Sequence, residues 1–144
     1  MPMNRIKYPI MVCAFAIIST LCVAQTASKP LRIVFDVTSG DTLVHQAAIR
    51  HLNAESKAHP EGQFEVVIYG GALNMLLKDK SSVASGVMKL LDAKNVSFMV
   101  CEETMHRHKV EKSQLITGVR TVPDGIVEIV EKEAAGWGYI KEAH

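Results

Sequence analysis

The sequence predicts an α/β sandwich built on a parallel sheet. Three observations lead there. Strand-like and helix-like segments alternate along the chain from about residue 31 onward. The first three strand candidates, "LRIVFDVT", "FEVVIYG" and "NVSFMVC", are near-continuous apolar runs rather than alternating ones. Such runs belong to strands covered on both faces, which is the habit of parallel sheets. Breakers separate the segments: "HPEGQ" at 59–63 and the Gly70-Gly71 pair.

Taken in order, 31–38 is rich in β-branched residues and reads as a buried strand. Asp36 interrupts it near its end, as a polar residue at a strand terminus does. "SGD" follows, and Ser39 or Asp41 can cap a helix over 42–58. Residues 64–70 form the second strand. "ALNMLLKDK" and "SVASGVMKLLDAK" read as two short helices, and 95–101 as the third strand. "EETMHRHKV" and "KSQLI" are short and helical. "VRTVP" is a fourth strand, and Asp124 is placed to cap the helix that follows. "GWGYIK" closes the pattern as an edge strand. No linker, repeat or low-complexity segment interrupts it, so residues 25–144 are expected to form a single domain.

The first residues have a different character. "MPMNRIKYP" carries Arg5 and Lys7 and no acid, an apolar run over 10–24 follows, and Cys22 and Ala24 are small residues at the −3 and −1 positions of a cleavage site. That is the pattern of a secretory signal peptide over 1–24, cut after Ala24. The apolar run is shorter than the roughly 20 residues that span a bilayer. The expected location is therefore periplasmic or secreted, with no membrane contact after cleavage. Removing Arg5 and Lys7 from the 16 basic residues leaves 14 against 15 acidic ones. With no basic stripe, nucleic acid is not an expected partner. Cys13 and Cys22 also leave, and Cys101 becomes the one cysteine. In an oxidising compartment a lone thiol is buried and inert, paired with another chain, or used in chemistry.

Ligands of open parallel sheets bind beyond the carboxyl ends of the strands. "TSGD", "YGGALN" and "CEET" reach that edge. Cys101 ends its strand and directly precedes a helix, whose start favours a thiolate. Glu102 and Glu103 oppose this with like charge. Two readings of Cys101 stay open: a reactive thiol, and a small buried hydrophobe closing a strand. The reactive reading requires the sulfur to be accessible and ionised at the rim of the sandwich. His106 and His108, two apart on a helix, do not converge on a metal. Cys101 with one of them is short of a four-coordinate site. No metal and no cofactor are expected. His45 and His51 read as solvent-facing or partly packed, and Asn74 follows the Gly70-Gly71 turn near the same edge as Cys101.

The run from Val96 to Lys141 resembles the DsrE/DsrF-like family, specifically its small secreted single-domain members. The resemblance rests on Cys101 followed by Thr104 and Met105, on Leu115, Gly118-Val119, Val122-Pro123 and Gly125, on Val127-Glu128-Ile129, and on Gly136 and Tyr139-Ile140-Lys141. It extends over about residues 31–141. It implies a three-layer α/β/α sandwich around a mostly parallel five-stranded sheet, and association into homo-oligomers. It further implies that Cys101 accepts sulfur as a persulfide in sulfur relay, with a small sulfur donor or a thiol partner protein. Asn74, Thr104 and His106 are the candidate substrate-binding residues around it. The competing expectation is a non-enzymatic oligomeric binding or scaffold protein, with a small-molecule pocket at the sheet edge and Cys101 as a packing residue. Whether the protein is an enzyme stays open at this point.

Overall fold

The computed structural model describes residues 29–143. The segment expected to be a signal peptide, 1–24, lies outside them. Strands β1 (Arg32–Val37), β2 (Gln63–Ile68), β3 (Val96–Cys101), β4 (Arg120–Val122) and β5 (Gly138–Lys141) make one sheet in the order β4-β3-β2-β1-β5. Every pairing in it is parallel. The α-helices are α1 (Thr42–Ala58), α2 (Ala84–Leu91), α3 (Glu102–His108) and α4 (Gly125–Ala134), with 3₁₀ segments at Gly70–Leu76 and Lys112–Gln114. The architecture is the expected α/β sandwich on a five-stranded parallel sheet.

The topology explains the layers. From β1 to β4 the chain steps across the sheet in one direction, so right-handed crossovers put their helices on one face. There Phe35, Val37, Phe64, Val66, Ile68, Phe98 and Val100 meet Val44 and Leu52 of α1, Val87 of α2, and Leu73 and Leu76. The step from β4 to β5 runs the other way and carries α4 over the opposite face. Val34, Val67, Met99 and Val122 pack there under Ile129, with Tyr69 and Trp137 at the margins. Both predicted caps are in place. Asp41 accepts from the Leu43 amide at 2.8 Å, and Asp124 accepts from the Ile126 amide at 2.8 Å.

Two expectations change. Residues 72–80 do not form a regular helix: the segment Gly70–Leu76 is 3₁₀ and stops. Its backbone is committed elsewhere. Leu77 bridges Leu115 in antiparallel fashion, and the Lys78 and Ile116 amides donate to the carbonyls of Gln114 and Leu76. His45 is not solvent-facing. It is 2 % exposed, and its Nε2 donates to the Ser39 carbonyl at 2.8 Å, tying α1 to the loop that precedes it. His51 stays near the surface, 3.0 Å from the Glu142 carboxylate.

Candidate functional site

The register fixes which side chains meet at the carboxyl edge. Asp36 pairs with Val67 on one side and Lys141 on the other, and Cys101 pairs with Val122. Successive side chains alternate between faces. Asp36, Val67, Tyr69, Met99, Cys101, Tyr139 and Lys141 therefore share the face under α4. The direction of travel across the sheet reverses at β4, and the helices that follow the neighbouring strands β3 and β4 lie on opposite faces; such a reversal point, here beside Cys101, is where open α/β sheets bind ligands.

Asp36 is the hub of this edge. It is 4 % exposed. Its Oδ2 accepts from the Tyr139 hydroxyl at 2.8 Å and, more loosely, from the Tyr69 hydroxyl at 3.4 Å. Its Oδ1 takes the Lys141 ammonium at 3.1 Å, and that ammonium also donates to Thr38 Oγ1 at 2.6 Å. The hydrogen bond to Asp36 favours the neutral phenol of Tyr139, and burial adds to it, so its pKa is pushed up to about 12. Tyr69 is also raised, by burial first and then by the charge of Asp36 and the hydrogen bond to it. Both phenols keep their protons at neutral pH and act only as donors to the carboxylate.

Cys101 stands where the sequence placed it, as the last residue of β3 and the residue preceding α3. It is a free thiol. Accessibility is where the expectation changes: Cys101 is 4 % exposed. Gly125, the first residue of α4, packs closely against it. A Cβ on Gly125 would lie 3.2 Å from Cys101 Cβ, from Tyr69 Cδ1 and from Val67 Cγ1. A side chain at 125 would make Cys101, Tyr69 and Val67 give way by a few tenths of an ångström, so glycine suits this close approach of α4 to the strand ends. Glu102 is turned to other work, with its carboxylate 2.7 Å from Lys112 and 2.6 Å from the Thr121 hydroxyl. Those two bonds hold its pKa below the ordinary carboxylate value.

The remaining candidates each have surroundings of their own. Thr104 is fully buried, and its Oγ1 accepts from the Gly70 amide at 3.1 Å and from Arg107 at 3.4 Å. Through the Gly70 bond it ties α3, of which it is part, to the chain leaving β2. Thr104→Val is expected to lower stability by about 1–3 kcal/mol, because the Gly70 amide loses its partner. Thr104→Ser should restore most of it in a urea titration. Asn74 is exposed in the 3₁₀ segment, and its side chain makes no hydrogen bond among the described residues. His106 is exposed and lines a cleft of about 490 Å³ with Glu102, Met105, Val110 and Lys112; Cys101 is not part of its lining. Among the described residues, no three His, Cys, Asp or Glu side chains are placed to hold a metal ion.

Asp36, Tyr69, Tyr139 and Lys141 are the residues that sequence reasoning missed. Lys141 and Tyr139, two apart on a strand, were a one-face signal. It became readable only once β5 was known to pair with β1.

A family model for the DsrE/DsrF-like family matches residues 32–141, from the first residue of β1 to the last of β5. The chain belongs to the DsrE/DsrF-like family. Among solved structures, this DsrE/DsrF-like chain is similar to a protein of unknown function from Methanobacterium thermoautotrophicum, with 27 % identity and a TM-score of 0.73. That match covers 77 % of this chain and 98 % of the other. The ychN protein from E. coli shares the fold at 14 % identity and a TM-score of 0.61, over 78 % of this chain and 98 % of its own. A conserved protein of unknown function from Bacteroides thetaiotaomicron does so at 16 % and 0.59, over 76 % and 93 %. No curated protein matches the chain.

Proposed function

We propose that this DsrE/DsrF-like protein is an exported sulfur carrier or thiol-exchange protein that uses Cys101 and works as a homo-oligomer. The observation that carries the reading is the position of Cys101: a lone thiol at the carboxyl end of a central strand, beside Tyr69 and the Asp36 cluster. In the proposed step the Cys101 thiolate attacks the outer sulfur of a persulfide or polysulfide donor. A new S–S bond forms on Cys101, the donor's S–S bond breaks, and the donor leaves as a thiolate. An external thiol then takes the sulfur by the same exchange, since residues 25–144 contain no second cysteine. Because Cys101 is 4 % exposed, transfer requires its surroundings to open, and the start of α4, where Gly125 packs on the Cys101 Cβ, is the element placed to lift. Association is supported by α4 itself, where Ile126, Val127 and Val130 are 58 %, 51 % and 58 % exposed. Export is supported by the signal-like pattern over 1–24.

A second reading has its own observation. At 4 % exposure, Cys101 also fits a packing residue in a non-enzymatic oligomeric scaffold. Native mass spectrometry after incubation with inorganic polysulfide separates the two. A carrier gains sulfur on each subunit, loses it to dithiothreitol, and gains none as Cys101→Ser; the same spectra report the subunit number. A folded wild type that takes up no sulfur, while its urea-unfolded form does, leaves only the packing role.

A further inference from the structure

α4 meets the sheet along one stripe. Gly125, Ile129 and Lys132 recur at helical spacing and share its inner side. Gly125 packs on Cys101, Tyr69 and Val67. Ile129 joins Val34, Val67, Met99 and Val122. The Lys132 ammonium reaches Glu65, near the start of β2. The helix is therefore a bar laid along β2, with its first residue on Cys101 and its last turn on Glu65. Its hold is slight, since Gly125 and Ile129 are its buried residues. Besides Lys132, the side chain that ties it to the sheet among the described residues is Arg32, which donates to the Ala135 carbonyl at 2.8 Å.

The Glu65 end is short of one positive charge. Lys132 lies 2.7 Å from Glu65 Oε2 and 3.3 Å from Glu128 Oε1, so one ammonium serves two carboxylates. Glu65 is buried, and Glu128 and Lys132 are half-buried. Ser97 Oγ donates to Oε2 at 3.4 Å, but Oε1 is sealed from water with no hydrogen-bond partner. An ionised oxygen stranded in this way is costly, and a proton on the carboxyl removes its charge. Other charges face the cluster from the strands and their ends. Arg120 and Lys94 line the adjoining polar cavity, and Arg32 lies over Trp137 on the far side of Lys132. Among the described residues none of the three bonds to either carboxylate. Burial prevails over these cations: it holds the Glu65 carboxyl above its ordinary value, with Lys132 opposing and Glu128 reinforcing the rise.

We propose that Glu65, Glu128 and Lys132 form a proton-operated latch that holds α4 on the sheet, and with it the Gly125 contact on Cys101. Lifting α4 lets water reach Glu65 and returns its carboxyl to an ordinary affinity for the proton. The closed form then binds that proton more tightly than the open one. Closure is strongest at acid pH, where the cluster holds one charge of each sign. It weakens as the pH rises through the titration of the pair and the surplus negative charge appears. The latch needs no sulfur chemistry, and Cys101 serves only to report the opening.

Amide hydrogen exchange of the full chain, read by mass spectrometry and corrected for intrinsic rates, gives the opening of α4 with α1 as the internal reference. From pH 5 to pH 8 the protection of α4 relative to α1 is expected to fall about fivefold or more. Glu128→Gln leaves one carboxylate for one ammonium at a half-buried site, so it should fold, keep its α4 protection at pH 8 and lose most of the pH dependence. Glu65→Gln should flatten the profile as well. Alkylation of the Cys101 peptide by iodoacetamide, compared between wild type and Glu128→Gln at pH 8 alone, keeps the ionisation of the thiol out of the comparison. The variant should be alkylated several-fold more slowly. The proposal is overturned if α4 protection in the wild type does not change with pH, if both folded variants keep its full pH dependence, or if Cys101 is alkylated equally fast in wild type and Glu128→Gln. Sulfur uptake by the wild type has no bearing on any of these outcomes.

Discussion

Asp36→Ala will bring the Tyr139 phenol down from about 12 toward its ordinary value near 10. Ultraviolet absorbance of the phenolate, followed through an alkaline titration, reads this directly. The cause is local: Asp36 Oδ2 accepts the Tyr139 hydroxyl at 2.8 Å, and ionising that phenol would set two negative oxygens against each other. The sign of the stability effect follows. A phenol whose folded pKa is raised contributes stability that is present below pH 10 and is lost as the pH climbs from 10 to 12. The wild type should therefore show a falling stability limb across that window, and Asp36→Ala should lack it. At neutral pH the variant is expected to lose about 2–3 kcal/mol, from charged hydrogen bonds to Tyr139 and Lys141. Lys141 is 44 % exposed, so water compensates part of its loss. The short strand β5 depends on this hub, since the Glu142 amide also donates to the Asp36 carbonyl. A variant with normal stability and Tyr139 still near 12 would mean that Asp36 does not organise the edge.

The fold was legible because its signals are local. Apolar runs, breakers and two aspartate caps mark the elements, and the order of strands and helices leaves few topologies. All the failures but one share a physical origin: they turn on a contact between segments far apart in sequence. The 3₁₀ segment ends early because Leu77 pairs with Leu115. His45 is the exception: it is buried with its ring on the Ser39 carbonyl, six residues back, a loop-to-helix contact that periodicity does not report. At the site, the strand-end position of Cys101 was readable, but its burial was not, since Gly125, which packs against its Cβ, lies 24 positions onward. Asp36 looked like a break in an apolar strand. Its meaning appears when Tyr139 and Lys141 arrive from a strand 103 and 105 residues away. The reversal of direction at β4, which returns the chain across the sheet to set β5 beside β1, also leaves α4 alone on its face, with an exposed apolar stripe on it and a polar cavity at its end.

Lys132→Met is the substitution expected to damage that face most. Methionine keeps the packing of the stem against Trp137 but removes the ammonium that holds Glu65 at 2.7 Å and Glu128 at 3.3 Å. A buried carboxylate stripped of its partner costs about 3–5 kcal/mol. In the wild type, burial already raises the Glu65 carboxyl above its ordinary value of 4.5, Lys132 pulls it back, and Glu128 adds to the rise. Without Lys132 the opposing pull disappears and the pKa climbs further. A raised carboxyl is stabilising only in its protonated range, so stability falls as pH rises through the folded pKa. The penalty of Lys132→Met should therefore be full at pH 8 and clearly smaller at pH 5, where Glu65 can hold a proton. Adding Glu65→Gln removes the charge in need of a partner. The double variant should recover more than half of the loss at pH 8 and show little pH dependence. Urea titrations at the two pH values test this, and equal penalties at both, with no recovery in the double variant, would place the cost in lost packing rather than in the stranded charge.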